Sequence, residues 1–355
     1  MAKPRLFVGV GTEVVVQVLL PTCRAVIEKN KGEWPDELFV LMADSDRRAQ
    51  NRFKEAELPS DRVTYVQLSI EQVKEAMVKR KDEFRDLVRP ELRGLIKDSP
   101  DNGACMVPLL GRLMLRSARP SIVRQLNTIA RHLSSCEEST PDIFVVLNPL
   151  SGTSRGSVFD LPLYLRHVFP GAMINALLIY PAEIERIDTH SSTIYETNFI
   201  EAMRILEYMA SPRDFEVFAD PKRGWEQHNA ELIINNVIAF DARYGNLRLL
   251  EFAPSELRLE GGLPELCEQV ERLLVGIALR DPLADWFLGR LSDVTLHRSR
   301  AEVAGRRTCC HSLHEVRIAF DRIAFRKALV ERALHRVLAP LSAATKTESG
   351  DAFLA

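Results

Sequence analysis

Small hydroxyl residues and glycines bunch in one place in this sequence: Ser151, Gly152, Thr153, Ser154, Arg155, Gly156 and Ser157 follow one another. Hydroxyls, backbone N–H groups and one guanidinium are the donors that hold a phosphate. A shorter glycine turn, Gly9-Val10-Gly11-Thr12, stands near the start, and Asp44 and Asp46 follow an apolar run at 38–42. A glycine turn after one strand with acids after the next is the general nucleotide-binding pattern. Taken singly, such a turn is common in α/β proteins of any function.

These residues need elements to aim them. Residues 143–147 (IFVVL) are short, apolar and β-branched enough for a buried strand, and the helical pattern beginning at Phe159 follows the Ser151 loop. Strand, loop and helix in that order point backbone N–H groups and a helix N-terminus at an anion. Upstream, strands are expected at 5–10, 38–42 and 63–68, with a helix at 13–28. A charged helical stretch at 70–97, broken near Pro90, reads as a solvated face. Helices are expected at 104–116 and 121–133, and a strand at 172–180 closed by Pro181. Strands alternate with helices from 5 to 180, so the expected fold class is α/β, a parallel Rossmann-like sheet with helices on both faces.

Farther on, the pattern predicts a helix at 197–209, a strand at 214–219 and a long proline-free core helix at 225–245. Strand-like runs at 247–252, 257–259, 308–313 and 316–320 alternate with helices at 263–279, 283–291 and 322–338. The expected organisation is a nucleotide-binding domain at 1–224, the core helix, a smaller α+β domain at 246–341 and a mobile tail at 342–355.

Composition narrows the function classes. The chain has 355 residues, 46% hydrophobic and 27% charged, with a net charge of -2. That balance gives no electrostatic pull toward nucleic acid or an anionic membrane. No apolar run is long enough to span a bilayer, and the first residues lack the regions of a signal peptide. Six scattered cysteines fit reduced thiols of a cytoplasmic protein.

The order of motifs resembles the tubulin/FtsZ superfamily, especially its divergent bacterial tubulin-like members. Gly9, Gly11 and Thr12 stand at the first loop, Asp44 and Asp46 after the second strand, and Gly103-Ala104 at a third loop. Ser151 to Gly156 occupy the position of the Gly-Gly-Gly-Thr-Gly-Ser-Gly signature. Glu196 is similar in placement to an acid near the ribose, and Asp220 to a polar reader of the guanine edge. Trp225 and Asn229, spaced i,i+4, resemble a pair that stacks on and hydrogen-bonds the base. Gly245-Asn246-Leu247-Arg248-Leu249-Leu250-Glu251 is similar to the loop that activates water on the next subunit's nucleotide. The resemblance implies GTP/GDP and Mg²⁺ as cofactors, with Asn246 and Glu251 as catalytic residues. It also implies head-to-tail self-association into filaments, or partnership with another tubulin-like or adaptor protein.

The sequence departs from that pattern at Glu13, at Ser151 and Ser154 in place of glycines, and at Arg248 in place of an acid. Glu13 at a helix N-terminus repels phosphate, while Arg155 could replace lost donors. These departures keep open a pseudo-GTPase that retains the fold and a partner surface. Structural readings also stand beside the functional ones: Asp44 and Asp46 as helix caps, Trp225 as a packing aromatic, Glu251 as a surface acid. A zinc set at Cys309-Cys310-His311-His314 lacks a Cys-x-x-Cys partner. A nicotinamide-dependent oxidoreductase built on Gly9-Val10-Gly11 has an incomplete fingerprint and no use for the Ser151 loop.

Overall fold

Strand β1 (Arg5–Val10) is buried along its whole length, so its side chains must serve two cores. Leu6, Val8 and Val10 enter one and Phe7 the other, as the two-residue period of a strand requires. The computed structural model that shows this describes residues 3–85, 87, 96, 104, 107–134, 140–180, 189–210, 213–220, 222–230, 232–241, 263–289 and 310–313.

Around β1 lies a seven-stranded sheet in the order β3-β2-β1-β4-β5-β8-β9. Its members are β2 (Leu38–Asp44), β3 (Val63–Gln67), β4 (Asp142–Leu147), β5 (Met173–Tyr180), β8 (Asn236–Asp241) and β9 (Cys310–Leu313). Every neighbouring pair is parallel. The order reverses between β1 and β4, the switch point at which crossing loops diverge and leave a crevice.

Helices cover both faces. On one lie α3 (Ile70–Lys79), α4 (Pro108–Leu133), α5 (Gly152–Val168) and α6 (Thr189–Met209). On the other lie a π-helical turn (Val14–Leu19), α1 (Leu20–Lys29), α7 (Leu263–Ala278) and a helix at 282–289, with α2 (Arg47–Glu55) contributing Ala49. No helix among the described residues is long and apolar enough to cross a membrane.

Helix α4 is one unbroken helix of 26 residues with Pro120 inside it, where two helices were expected. Proline removes one i→i−4 bond, but burial of Leu113, Met114, Ile122 and Leu126 on either side outweighs that loss. It crosses α5 through glycines. A Cβ on Gly111 would stand 2.1 Å from the Gly152 carbonyl oxygen, and one on Gly156 would stand 2.3 Å from Arg112 N and Pro108 O.

Charge reinforces this crossing. Asp160 of α5, 1% exposed, accepts from Arg112 (Nε 3.0 Å, Nη2 3.1 Å) and Arg116 (Nε 3.2 Å, Nη2 2.9 Å) of α4. Burial alone would raise its pKa, but Arg116 and Arg112 hold it below the ordinary carboxylate value. Glu83 is fully buried, in a 3₁₀ turn (Lys81–Phe84), and pairs with Arg119 and Arg80. The charged stretch read as a solvated face is therefore partly internal.

Two expectations are corrected. The core helix at 225–245 is absent: β7 (Gly224–Ala230) and β8 occupy its described part. β7 forms an antiparallel hairpin with β6 (Arg213–Asp220). The β-branched run from Ile233 to Phe240 satisfies a buried strand as well as a helix, and pairing with β5 decides it. The long helix of the fold is α4 instead. The described residues beyond 246 also draw no lobe boundary there: α7 packs in the core with Phe7 and Val146, and β9 joins the main sheet. Contacts divide the chain at residues 314 and 315; 242–262 and the tail at 342–355 lie outside the described residues.

The glycine crossing sets a test. Gly156→Ala should destabilise the chain by about 3 kcal/mol, the upper range for overpacking, because the atoms in its way are backbone. Gly289→Ala, with nothing within 4 Å among the described residues, should leave the melting temperature within a degree or two. Equal melting temperatures for the two variants would refute the crossing.

Candidate functional site

The loops after β1, β2 and β4 meet at the switch point. Gly11 turns with φ +101°, a conformation open to glycine. Its N–H donates to the Ala43 carbonyl at 3.0 Å, tying the first loop to the end of β2. A Cβ there would lie 3.1 Å from Ser151 Oγ and 3.3 Å from Ser154 Cβ, so this position holds the two loops close together. Gly9 has a different duty: a Cβ would stand 2.5 Å from Val14 Cγ1, and the glycine admits the following helix.

Asp44 closes β2 and is 1% exposed. Its Oδ1 accepts from Ser45 N at 2.7 Å, and Oδ2 is buried without a hydrogen-bond partner among the described residues. Burial pushes its pKa up to about 7, against hydrogen bonds from the Thr12 hydroxyl and the Ser45 N–H that act the other way. Asp46 is half-buried and caps α2, accepting from Arg48 N at 2.8 Å. Its hydrogen bond with Arg48 lowers its pKa. The two acids thus divide: Asp46 serves a helix end, and Asp44 faces inward at the crevice. Ser45 Oγ lies 3.3 Å from Thr153 Oγ1, which joins the second loop to the signature-like loop.

Helix α5 begins at Gly152 with Ser151 as its N-cap. Ser151 Oγ accepts from Ser154 N at 3.3 Å, and Ser154 Oγ accepts from Asn148 N at 2.9 Å. Serine hydroxyls therefore satisfy backbone donors that an anion at this helix end would also seek. Gly156 admits α4, and the Gly152 carbonyl is the atom that Gly111 of α4 approaches, as described above. Arg155 sends its Nε to the Asn198 carbonyl at 2.8 Å, fastening α5 to α6, and burial lowers its pKa. Ala104 is buried and its carbonyl accepts from Val107 N at 2.7 Å, leading into α4.

The structure thus brings together Gly11, Thr12, Asp44, Ser151, Thr153 and Ser154. Glu196 falls within α6 and Asp220 ends β6. Trp225 and Asn229 sit on strand β7, not on a helix, so their spacing does not make one turn. Asn229 is exposed. The Trp225 ring meets Phe218 edge-on at 5.6 Å and lies 4.7 Å from the Arg85 guanidinium and 5.6 Å from that of Arg116. It is a packing aromatic. Gly103, Asn246 and Glu251 lie outside the described residues.

Two features show only faintly in the sequence. The cap geometry of Ser151 was signalled by a small hydroxyl residue before a helix. The cluster of His167, Glu226 and His228 had only the alternate spacing of the last two to announce it.

A family model described as tubulin-like matches residues 6–233. Among solved structures, a mutant FtsZ from M. jannaschii is similar at 11% identity with a TM-score of 0.39, over 78% of this chain and 55% of its own. The empty FtsZ dimer from M. jannaschii is similar at 10% identity and TM-score 0.38, over 78% of this chain and 53% of its own. The chain spans about half the length of these structures. No curated protein matches it.

The raised pKa of Asp44 has a defined sign. Between about pH 4 and pH 7 the folded chain keeps a proton that the unfolded chain has lost. Stability from this group therefore falls as pH rises through that window, by about 1.4 kcal/mol per unit at most, and levels off above it. In urea unfolding, Asp44→Asn should be more stable than wild type at pH 8 and should lose this part of the slope between pH 5 and pH 7. Parallel pH profiles for the two would reject the assignment.

Proposed function

The chain belongs to the tubulin-like family, and from that premise we propose that it binds guanine nucleotide at the crevice between β1 and β4 and associates head to tail with copies of itself. The observation that supports this best is the convergence of the Gly11, Asp44 and Ser151 loops at the switch point, with the N-terminus of a 17-residue helix among them. Open α/β sheets bind ligands at such a point, and a helix N-terminus favours phosphate.

The residues fit the group. Gly11 leaves no side chain between the loops, Thr12 and Thr153 offer hydroxyls, and the unpartnered Asp44 Oδ2 is an oxygen suited to a hard cation such as Mg²⁺. When bound, GTP with Mg²⁺ supplies a γ-phosphate open to attack by water. Asn246 and Glu251 would serve the neighbouring subunit's nucleotide, Glu251 orienting the water. Glu196 and Asp220 would hold ribose and base. A head-to-tail contact whose rotation does not close on itself builds filaments. The setting is the cytoplasm.

A second reading is a tubulin-like partner that has lost turnover and acts by association, alone or beside another tubulin-like or adaptor protein. The Ser151 cap favours it, because phosphate must displace that hydroxyl from Ser154 N.

Calorimetry with GTP and Mg²⁺ separates the two. Nucleotide binding predicts heat with wild type and about fivefold tighter binding by Ser151→Ala, since loss of a cap costs the free protein about 1 kcal/mol. Absence of heat with both proteins would reject nucleotide binding, and concentration-dependent association alone would then support the partner. Light scattering should rise on adding GTP if filaments form; a chain that stays monomeric at all concentrations defeats self-association in either reading and leaves only partnership with another tubulin-like or adaptor protein. Glu251→Ala should bind GTP as wild type does and release no phosphate, and unchanged release would remove Glu251 from the reaction.

A further inference from the structure

Away from the crevice, the last turn of α5 meets the β6–β7 hairpin at three side chains. His167 Nδ1 lies 3.0 Å from His228 Nε2, and His228 Nε2 lies 3.8 Å from Glu226 Oε2. Among the described residues this is a group whose ligand atoms all fall within 4.8 Å of one another. Glu226 and His228 alternate along β7 and so share one face of the hairpin. Two donors ~2.05 Å from a tetrahedral centre stand about 3.3 Å apart. The His167–His228 and His228–Glu226 separations bracket that value and the third is at most 4.8 Å, so the three side chains reach a common cation by rotating toward it.

We propose that His167, Glu226 and His228 form a binding site for a borderline divalent transition cation, Zn²⁺ in the first instance, that clamps the hairpin to α5. Imidazole nitrogen and carboxylate oxygen are the donors such a cation takes. The three residues are half-buried, which supports the rings while leaving a fourth position for water. Phe215 stacks on the His228 ring at 5.2 Å with an interplanar angle of 17° and fixes its orientation, as outer residues do around metal ligands. Burial and the neighbouring His228 hold the His167 pKa below its ordinary value, which favours the neutral, coordinating ring. Arg223 pairs with Glu226 through Oε1 at 3.6 Å, leaving Oε2 directed at His228.

The site has a structural purpose. A two-stranded hairpin is marginal by itself, and β6–β7 pairs with no third strand among the described residues. A metal binding the folded form alone raises stability with the logarithm of its free concentration once that exceeds Kd.

The full-length chain, freed of metal, is titrated with Zn²⁺ and, in parallel, with Co²⁺. The proposal expects one equivalent of tight Zn²⁺ and a rise in melting temperature on binding. It expects a Co²⁺ spectrum of d–d bands without a thiolate charge-transfer band. His167→Gln, Glu226→Gln and His228→Gln should each weaken Zn²⁺ at least tenfold and shrink the thermal shift relative to their own metal-free forms. Glu226→Gln keeps the hairpin even if a histidine variant fails to fold. No uptake by wild type, unchanged uptake by the variants, or a thiolate band pointing to Cys309 and Cys310 would each overturn the proposal.

Discussion

The backbone contact between α4 and α5 is the constraint on which the rest of this structure depends. Where a Cβ on Gly111 or Gly156 would fall inside van der Waals distance of the other helix's main chain, the helices can approach in only one register. That register sets where α5 begins, and the start of α5 is the wall of the crevice. It also brings Asp160 between Arg112 and Arg116. A buried carboxylate without those guanidiniums would cost several kcal/mol, so the ion pairs fit only this crossing. Steric permission comes from the glycines and chemical specificity from the charges. Neither would hold the geometry alone.

The same contact reassigns residues whose types suggested phosphate. Gly156 admits a helix, and Gly9 admits Val14 and Leu19. Gly11 alone among these has the left-handed backbone and the loop-to-loop approach of a binding turn. Arg155, a candidate to replace missing donors, engages the carbonyl of Asn198. What remains at the crevice is a compact polar set built on Thr12, Asp44, Ser151, Thr153 and Ser154.

Much of this was legible in the sequence, and the failures have physical causes. Short apolar runs such as 143–147 and 38–42 can only be buried strands when helices flank them, so the parallel sheet followed directly. The sequence predicts two helices, at 104–116 and 121–133, because local preference is all that a sequence displays, whereas burial on both sides of Pro120 carries α4 through the break. The run from Ile233 to Phe240 satisfies helix and strand alike, and only the open edge of β5 chooses. Trp225 and Asn229 lost their helical face with that choice. Glu83 and Asp160 look like surface acids in a chain that is 27% charged; Arg80 is three positions from Glu83, but Arg119 lies 36 positions from it and the partners of Asp160 lie 44 and 48 positions away, beyond any local pattern.

The serines at the start of α5 carry a consequence for how the chain matures. A phosphate loop made of glycines leaves its amides unmet until a ligand arrives, so the ligand acts as a late participant in folding. Here Ser151 meets the amide of Ser154, and Ser154 meets that of Asn148. The chain can complete this corner of its fold unaided during synthesis. A nucleotide bound there as proposed would come as a rival to an internal contact, and its occupancy would track its concentration instead of being locked in at birth.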